Sequence, residues 1–137
     1  GAAAQMMVLG PARLRAGETA EFSIAVEGAT GVSHAPLRVA YDPEVLEFVE
    51  AREGPWMGSD GGGTHFLAAE ADAPGWIDLS VSRLAAGSPA GGGTLCTLVF
   101  RARSRGETSL VIAGSRLMDA SGRPLGFRRS DAHVAVD

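Results

Sequence analysis

The 137-residue sequence has no lysine, so its 12 basic residues are all arginine, set against 16 acidic ones. A net charge of −4 is too small to demand an oppositely charged partner, and no basic cluster is large enough to follow a phosphate backbone, which excludes a nucleic-acid binder. Cysteine occurs once, as Cys96, so an internal disulfide is excluded. No apolar run approaches the roughly 18 residues needed to cross a bilayer as a helix, so this segment does not insert into a membrane that way. Aromatic residues are scarce at 6% and charged residues make up 20%, a profile of neither a disordered chain nor a coiled coil.

Glycine is abundant, at 19 residues, and alternation of apolar with polar side chains dominates. In AEFSIAVE, Phe22, Ile24 and Val26 oppose Glu21, Ser23 and Glu27. In WIDLSVSRL, Ile77, Leu79 and Val81 oppose Asp78, Ser80 and Ser82. In TLCTLVFRAR, Cys96, Leu98, Phe100 and Ala102 share a side, opposite Thr97, Val99, Arg101 and Arg103. ETSLVIAG and HVAVD repeat the pattern through Thr108, Leu110 and Ile112 and through Val134 and Val136. Tight-turn sequences separate these runs: RAGET, SRGET, DASGRP and the glycine triplets 61–63 and 91–93. Many short strands without a 3.6-residue period predict an all-β, antiparallel sandwich.

VAYDPEVLEF is ambiguous, since Asp42-Pro43-Glu44 also resembles a helix start. A helix here would have no partner layer, and Pro43 cannot donate to a strand ladder. The reading is therefore strand, short turn at Pro43–Val45, strand.

The order of these segments carries a family resemblance. A GET turn is followed by FSIAVEGATGV, LRVAYDPEVLEFVEAREG, WIDLSVSRLAAG, GGGTLCTLVFRARSRGETSL and a closing D-x-x-G. This resembles a cohesin domain, in which a strand ends in YDP-x-V-L-x-F and a later one begins G-G-G-T-L-x-x-L-x-F. The resemblance spans residues 5–137 and implies one non-catalytic jelly-roll sandwich of about nine strands. Residues 1–4 then form a linker, the remnant of a cleaved signal or a cloning scar. It implies docking of a dockerin-like module or another secreted or envelope protein, at the cell surface, outside the cell, or in the periplasm or outer membrane of a bacterium. Calcium belongs to the dockerin, so no cofactor or metal is implied for this chain. The alanine, glycine and arginine bias points to a GC-rich bacterium, and similar domains occur on secretion and pilus proteins, where a purely structural role is the alternative.

In the cohesin family the partner lies on one sheet face, and the resemblance maps that face to LRVAY, THFLAA, WIDLSVSR and TLCTLVFRA. Alternation then selects Arg38, Ala40, His65, Leu67, Asp78, Ser80, Ser82, Thr97, Val99 and Arg101 as partner-binding side chains. A polysaccharide ligand is the rival reading. It would stack pyranose faces on Trp56, in the loop GPWMG, and on the outward Trp76, whereas Tyr41 faces inward; Trp56 beside Met57 reads equally as a lid closing the end of the core. An open sheet edge also offers a homodimer contact.

Catalytic and metal chemistry find no converging set. His34, His65 and His133 are far apart and lack metal-ligand spacing, with His34 read as a loop residue. Cys96 reads as a small core residue. No nucleophile elbow, H-E-x-x-H or Walker loop occurs, and Gly58-Ser59-Asp60-Gly61 reads as a flexible loop. Two oxygen clusters, Asp119 with Ser121 and Asp131, and Asp60 with Glu70 and Asp72, lack dense calcium-loop spacing. Asp119 and Ser121 are instead expected to make turn bonds to the backbone.

Overall fold

The computed structural model describes residues 4–89 and 91–137, and among these it contains strands and no helix. The strands are β1 (Ala4–Leu9), β2 (Arg13–Leu14), β3 (Thr19–Glu27), β4 (His34–Ala40), β5 (Leu46–Glu53), β6 (Thr64–Glu70) and β7 (Trp76–Arg83). They continue as β8 (Gly93–Ala102), β9 (Gly106–Ala113), β10 (Leu117–Met118), β11 (Pro124–Leu125), β12 (Phe127–Ser130) and β13 (Ala132–Val136). The pairs β1–β2, β9–β10 and β12–β13 are each one interrupted path and β11 is a short return, which leaves the expected nine strands. β1 begins at Ala4, a buried residue paired with Phe127 and thus part of the sandwich; residues 1–3 of the expected leader lie outside the described residues.

One sheet runs β12-β1-β3-β8-β5. The other runs β6-β7-β4-β9-β13-β2, with β10 and β11 continuing along the β9 edge of β4. Both terminal paths change sheets: β1 lies in the first and β2 in the second, β12 in the first and β13 in the second. Each runs beside the other, so β1 pairs with β12 and β2 with β13 in parallel, within an otherwise antiparallel fold. At the first crossing, a Cβ added to Gly10 would lie 2.3 Å from the Phe22 ring, so only glycine fits there. At the second, β9 loses β13 beyond Leu110 while keeping β4, and side chains replace the missing strand. The Ile112 N–H donates to Asp131 Oδ1 (2.9 Å), and Arg129 donates to the Ile112 carbonyl (2.8 Å).

The core follows the alternation. Phe22, Ile24, Val39, Ile77, Leu98, Phe100, Leu110 and Ile112 are fully buried. Phe100 on β8 is the hub, with the rings of Tyr41, Phe48 and Phe22 edge-on at centroid distances of 5.0, 5.8 and 5.9 Å. Two bulges adjust β8: one at Ile24/Ala25 lets both Leu95 and Cys96 be buried, and one at Phe48/Glu50 turns Val49 outward.

The Asp42 corner is strand, one turn, strand. Its Oδ1 accepts the Glu44 N–H (2.9 Å), its carbonyl accepts the Val45 and Leu46 N–H groups (both 3.1 Å), and β5 starts at Leu46. The resemblance to a helix start therefore has a physical basis, since capping is used for a single turn. Arg103 does not continue the side of Arg101 as alternation suggests: β8 ends at Ala102, and Arg103 donates to the Pro43 carbonyl (3.2 Å) from the following turn.

Phe100→Ala should destabilise the fold by about 3–5 kcal/mol, because it removes a ring that three others contact. Urea denaturation followed by tryptophan fluorescence measures this, with the midpoint falling and the m-value unchanged.

Candidate docking face

The outward side chains of β6, β7, β4 and β9 form rows set by strand register. His65, Ser82 and His34 make one row, and Leu67, Ser80 and Pro36 the next. Ala69, Asp78, Arg38 and Ala113 follow, then Trp76, Ala40 and Val111. His34 opens β4 and is no loop residue; its Nδ1 lies 2.5 Å from Ser82 Oγ. Arg38 makes a two-pronged ion pair with Asp78 (2.7 and 3.2 Å) and its guanidinium sits 5.5 Å from the centre of the Trp76 ring. Asp78 pushes the Arg38 pKa upward, through its hydrogen bond and then its charge. This ion pair is half exposed and screened by solvent, so it organises the centre of the face and adds little to stability. Around it the surface is small or apolar: Leu67 is 58% exposed, and shallow depressions open between Leu67, Ala69 and Ser80 and between Pro36, Arg38 and Gly114.

Seven of the ten side chains expected at the interface lie together here: Arg38, Ala40, His65, Leu67, Asp78, Ser80 and Ser82. Thr97, Val99 and Arg101 do not, because β8 belongs to the opposite sheet, between β3 and β5. The place beside β4 is taken by β9, which contributes Ser109, Val111 and Ala113. Alternation in ETSLVIAG gives the outward parity of Ser109 and Val111, but parity does not say which strand neighbours which.

The outer face of the other sheet has a different character. Val99 points outward yet is only 5% exposed. It lies between Glu21 and Glu50, and Arg52 forms ion pairs with both, so charged side chains roof the valine. Glu47 stands opposite Arg101 on the same face. This surface is ion-paired and solvated.

The tryptophan platform is not formed. Trp56 is 1% exposed beside the fully buried Met57, and its ring packs on Gly93 at the end of the core. The Trp56 backbone N–H donates to the Thr94 carbonyl (3.0 Å), while a Cβ on the nearby Gly54 would lie 2.2 Å from that oxygen. Trp56 closes the sandwich, and only Trp76, at 36% exposure, reaches the surface.

The loop after Trp56 is fixed, contrary to its flexible reading. The wholly buried Arg83 side chain donates to Asp60 Oδ1 and Oδ2 (3.0 and 2.6 Å) and to the Met57 and Ala86 carbonyls (2.7 and 3.2 Å). Hydrogen bonding to Arg83 and to the Gly62 N–H lowers the Asp60 pKa to about 2. Three of the carboxylates considered for calcium have other partners: Asp60 holds Arg83, Asp119 Oδ1 accepts the Ser121 and Arg123 N–H groups (both 2.9 Å), and Asp131 Oδ1 accepts the Ile112 N–H. No group of three or more His, Cys, Asp or Glu is gathered among the described residues. Burial pushes the Cys96 thiol up to about 12, which keeps it protonated.

The cohesin domain family model matches residues 6–123. The chain belongs to the cohesin domain family. Cohesins are non-catalytic modules that dock protein partners. Solved cohesins share the fold at low identity. A type II module from the adaptor scaffoldin of Acetivibrio cellulolyticus has a TM-score of 0.85 at 19% identity, covering 97% of this chain and 90% of that one. A non-cellulosomal cohesin from the archaeon Archaeoglobus fulgidus has a TM-score of 0.82 at 19% identity, covering 99% and 92%. The cohesin of a type I cohesin–dockerin complex from Clostridium thermocellum has a TM-score of 0.81 at 16% identity, covering 98% and 94%. No curated protein sequence matches significantly.

The Asp60 pKa lies below its unfolded value of about 3.9. Its stabilising contribution is complete above pH 4 and disappears as pH falls toward 2. Asp60→Asn should lower the melting temperature at pH 7 and reduce the loss of stability between pH 4 and pH 2, measured by thermal denaturation across that range.

Proposed function

We propose that this cohesin binds a dockerin-like protein module across the outer face of β6, β7, β4 and β9, as an attachment module outside the cell or in its envelope. The observation that carries this reading is the contrast between the two faces. One has Leu67, Pro36, Ala40, Trp76 and Val111 around the mutually neutralised Arg38–Asp78 ion pair, with the exposed Glu107 and His133 at its far margin. The other is covered by Glu21, Arg52, Glu50, Glu47 and Arg101. Removing water from the centre of the first surface strands no unpaired charge, whereas on the second it would break a network of exposed ion pairs. The interface core expected of a docking surface, depleted in charge and with Trp and Arg at its centre, therefore fits the first. Binding requires no rearrangement of the backbone, since the face is a regular sheet.

Titration calorimetry with a calcium-loaded dockerin module encoded by the same genome tests this. Asp78→Arg places two guanidinium groups side by side and Leu67→Asp puts a charge in the apolar depression, so each should weaken binding about tenfold or more. Arg101→Glu, on the opposite face, should leave affinity within about twofold. The reverse pattern would assign docking to the other sheet.

A further inference from the structure

The open edges of the two sheets differ in how they are protected. β12 is four residues long and carries Arg128 and Arg129, while β2 and β11 have only two residues each, the latter with Pro124. β5 is bulged at Val49 and carries Glu47, Glu50, Arg52 and Glu53. These are the usual devices that keep sheet edges from pairing with another chain. β6 has none of them. Its seven residues, THFLAAE, pair with β7 in unbroken register and carry no fixed charge before Glu70.

The backbone geometry says which groups are free. Ala71 donates to the Trp76 carbonyl and Leu84 donates to the Gly63 carbonyl, so odd-numbered residues of this segment turn their N–H and C=O groups toward β7. The N–H and C=O groups of Thr64, Phe66, Ala68 and Glu70 therefore point away from the sheet, and no backbone partner meets them among the described residues.

We propose that β6 pairs antiparallel with β6 of a second copy, about a two-fold axis through Leu67, and joins the two molecules into one continuous sheet. Only residues whose groups face the edge can form hydrogen-bonded pairs, which selects Phe66 with Ala68 and Thr64 with Glu70 of the partner copy. This register uses the whole strand and forms about eight inter-chain hydrogen bonds. It sets the large Phe66 against the small Ala68, and His65 against Ala69. It also brings together two Leu67 side chains, each 58% exposed in the monomer, at the close spacing of a non-hydrogen-bonded pair. No like charges stand directly opposite. A second copy fits better than an unrelated strand because the segment is complementary to itself in this one register. Glu70 of each copy comes beside the Thr64–Glu53 hydrogen bond of the other, so the association is weak and concentration-dependent. The proposal does not depend on the docking reading, and its test contains no dockerin.

Sedimentation equilibrium and NMR hydrogen exchange from about 10 µM to about 1 mM, spanning micromolar to millimolar dissociation constants, test the pairing. A dimer should accumulate, and the amides of Thr64, Phe66, Ala68 and Glu70 should gain protection while those of Leu67 and Ala69 do not. Ala68→Pro removes a donor that faces away from β7, so it should keep the monomer's melting temperature and weaken association about tenfold or more. Glu70→Lys, which would meet Glu53 of the other copy, should tighten association severalfold. A chain that stays monomeric at about 1 mM overturns the proposal. So does a dimer that Glu70→Lys weakens, or one whose protection maps elsewhere.

Discussion

Each sheet has to hide one face against the other, and the molecule has no helix among its described residues with which to do so differently. The contact between inner faces centres on β8, whose Phe100 meets Tyr41 from the end of β4, Phe48 from β5 and Phe22 from β3. Alternate residues along each strand are committed to that contact, so the remaining residues are committed to the outside. The ends are sealed by different means. Trp56 and Met57 close one end, held by the loop that Arg83 and Asp60 fix, and the terminal paths close a side by crossing between sheets.

Function then depends on what the two outer faces carry. The face over β8 is stabilised in water by ion pairs that cross its central strand, and such a surface gains little from being covered. The face over β4 and β7 has one ion pair, its guanidinium over the Trp76 ring, surrounded by small and apolar groups. A rigid, preformed sheet of this kind pays little conformational entropy on binding, which suits a module whose role is attachment without chemistry.

Much of the fold was legible in the sequence because period-two alternation is a local property. Phe22, Ile24, Leu79, Leu98, Phe100 and Ile112 are inside, as their parity requires, and Asp42-Pro43 makes the corner that its turn chemistry indicates. The face proposed for docking was only partly legible. Parity says that Val99 and Val111 both point outward, but strand order decides that Val99 belongs to the other sheet, and order is fixed by contacts distant in the chain. Trp56 was ambiguous because a loop has no period, and its burial depends on the backbone of Gly93 and Thr94. The Arg83–Asp60 pair, 23 residues apart, had no local signal either. The two parallel pairings of the terminal paths escaped for the same reason.

The central claim is that one outer face, and not the other, receives a protein partner. The most direct measurement is an NMR chemical-shift titration of the isotopically labelled domain with a dockerin module. The account predicts shifts concentrated at Arg38, Leu67, Trp76, Asp78, Ser80 and Val111, with β3, β5 and β8 silent. Shifts centred on Glu21, Arg52, Thr97 and Arg101 would contradict it.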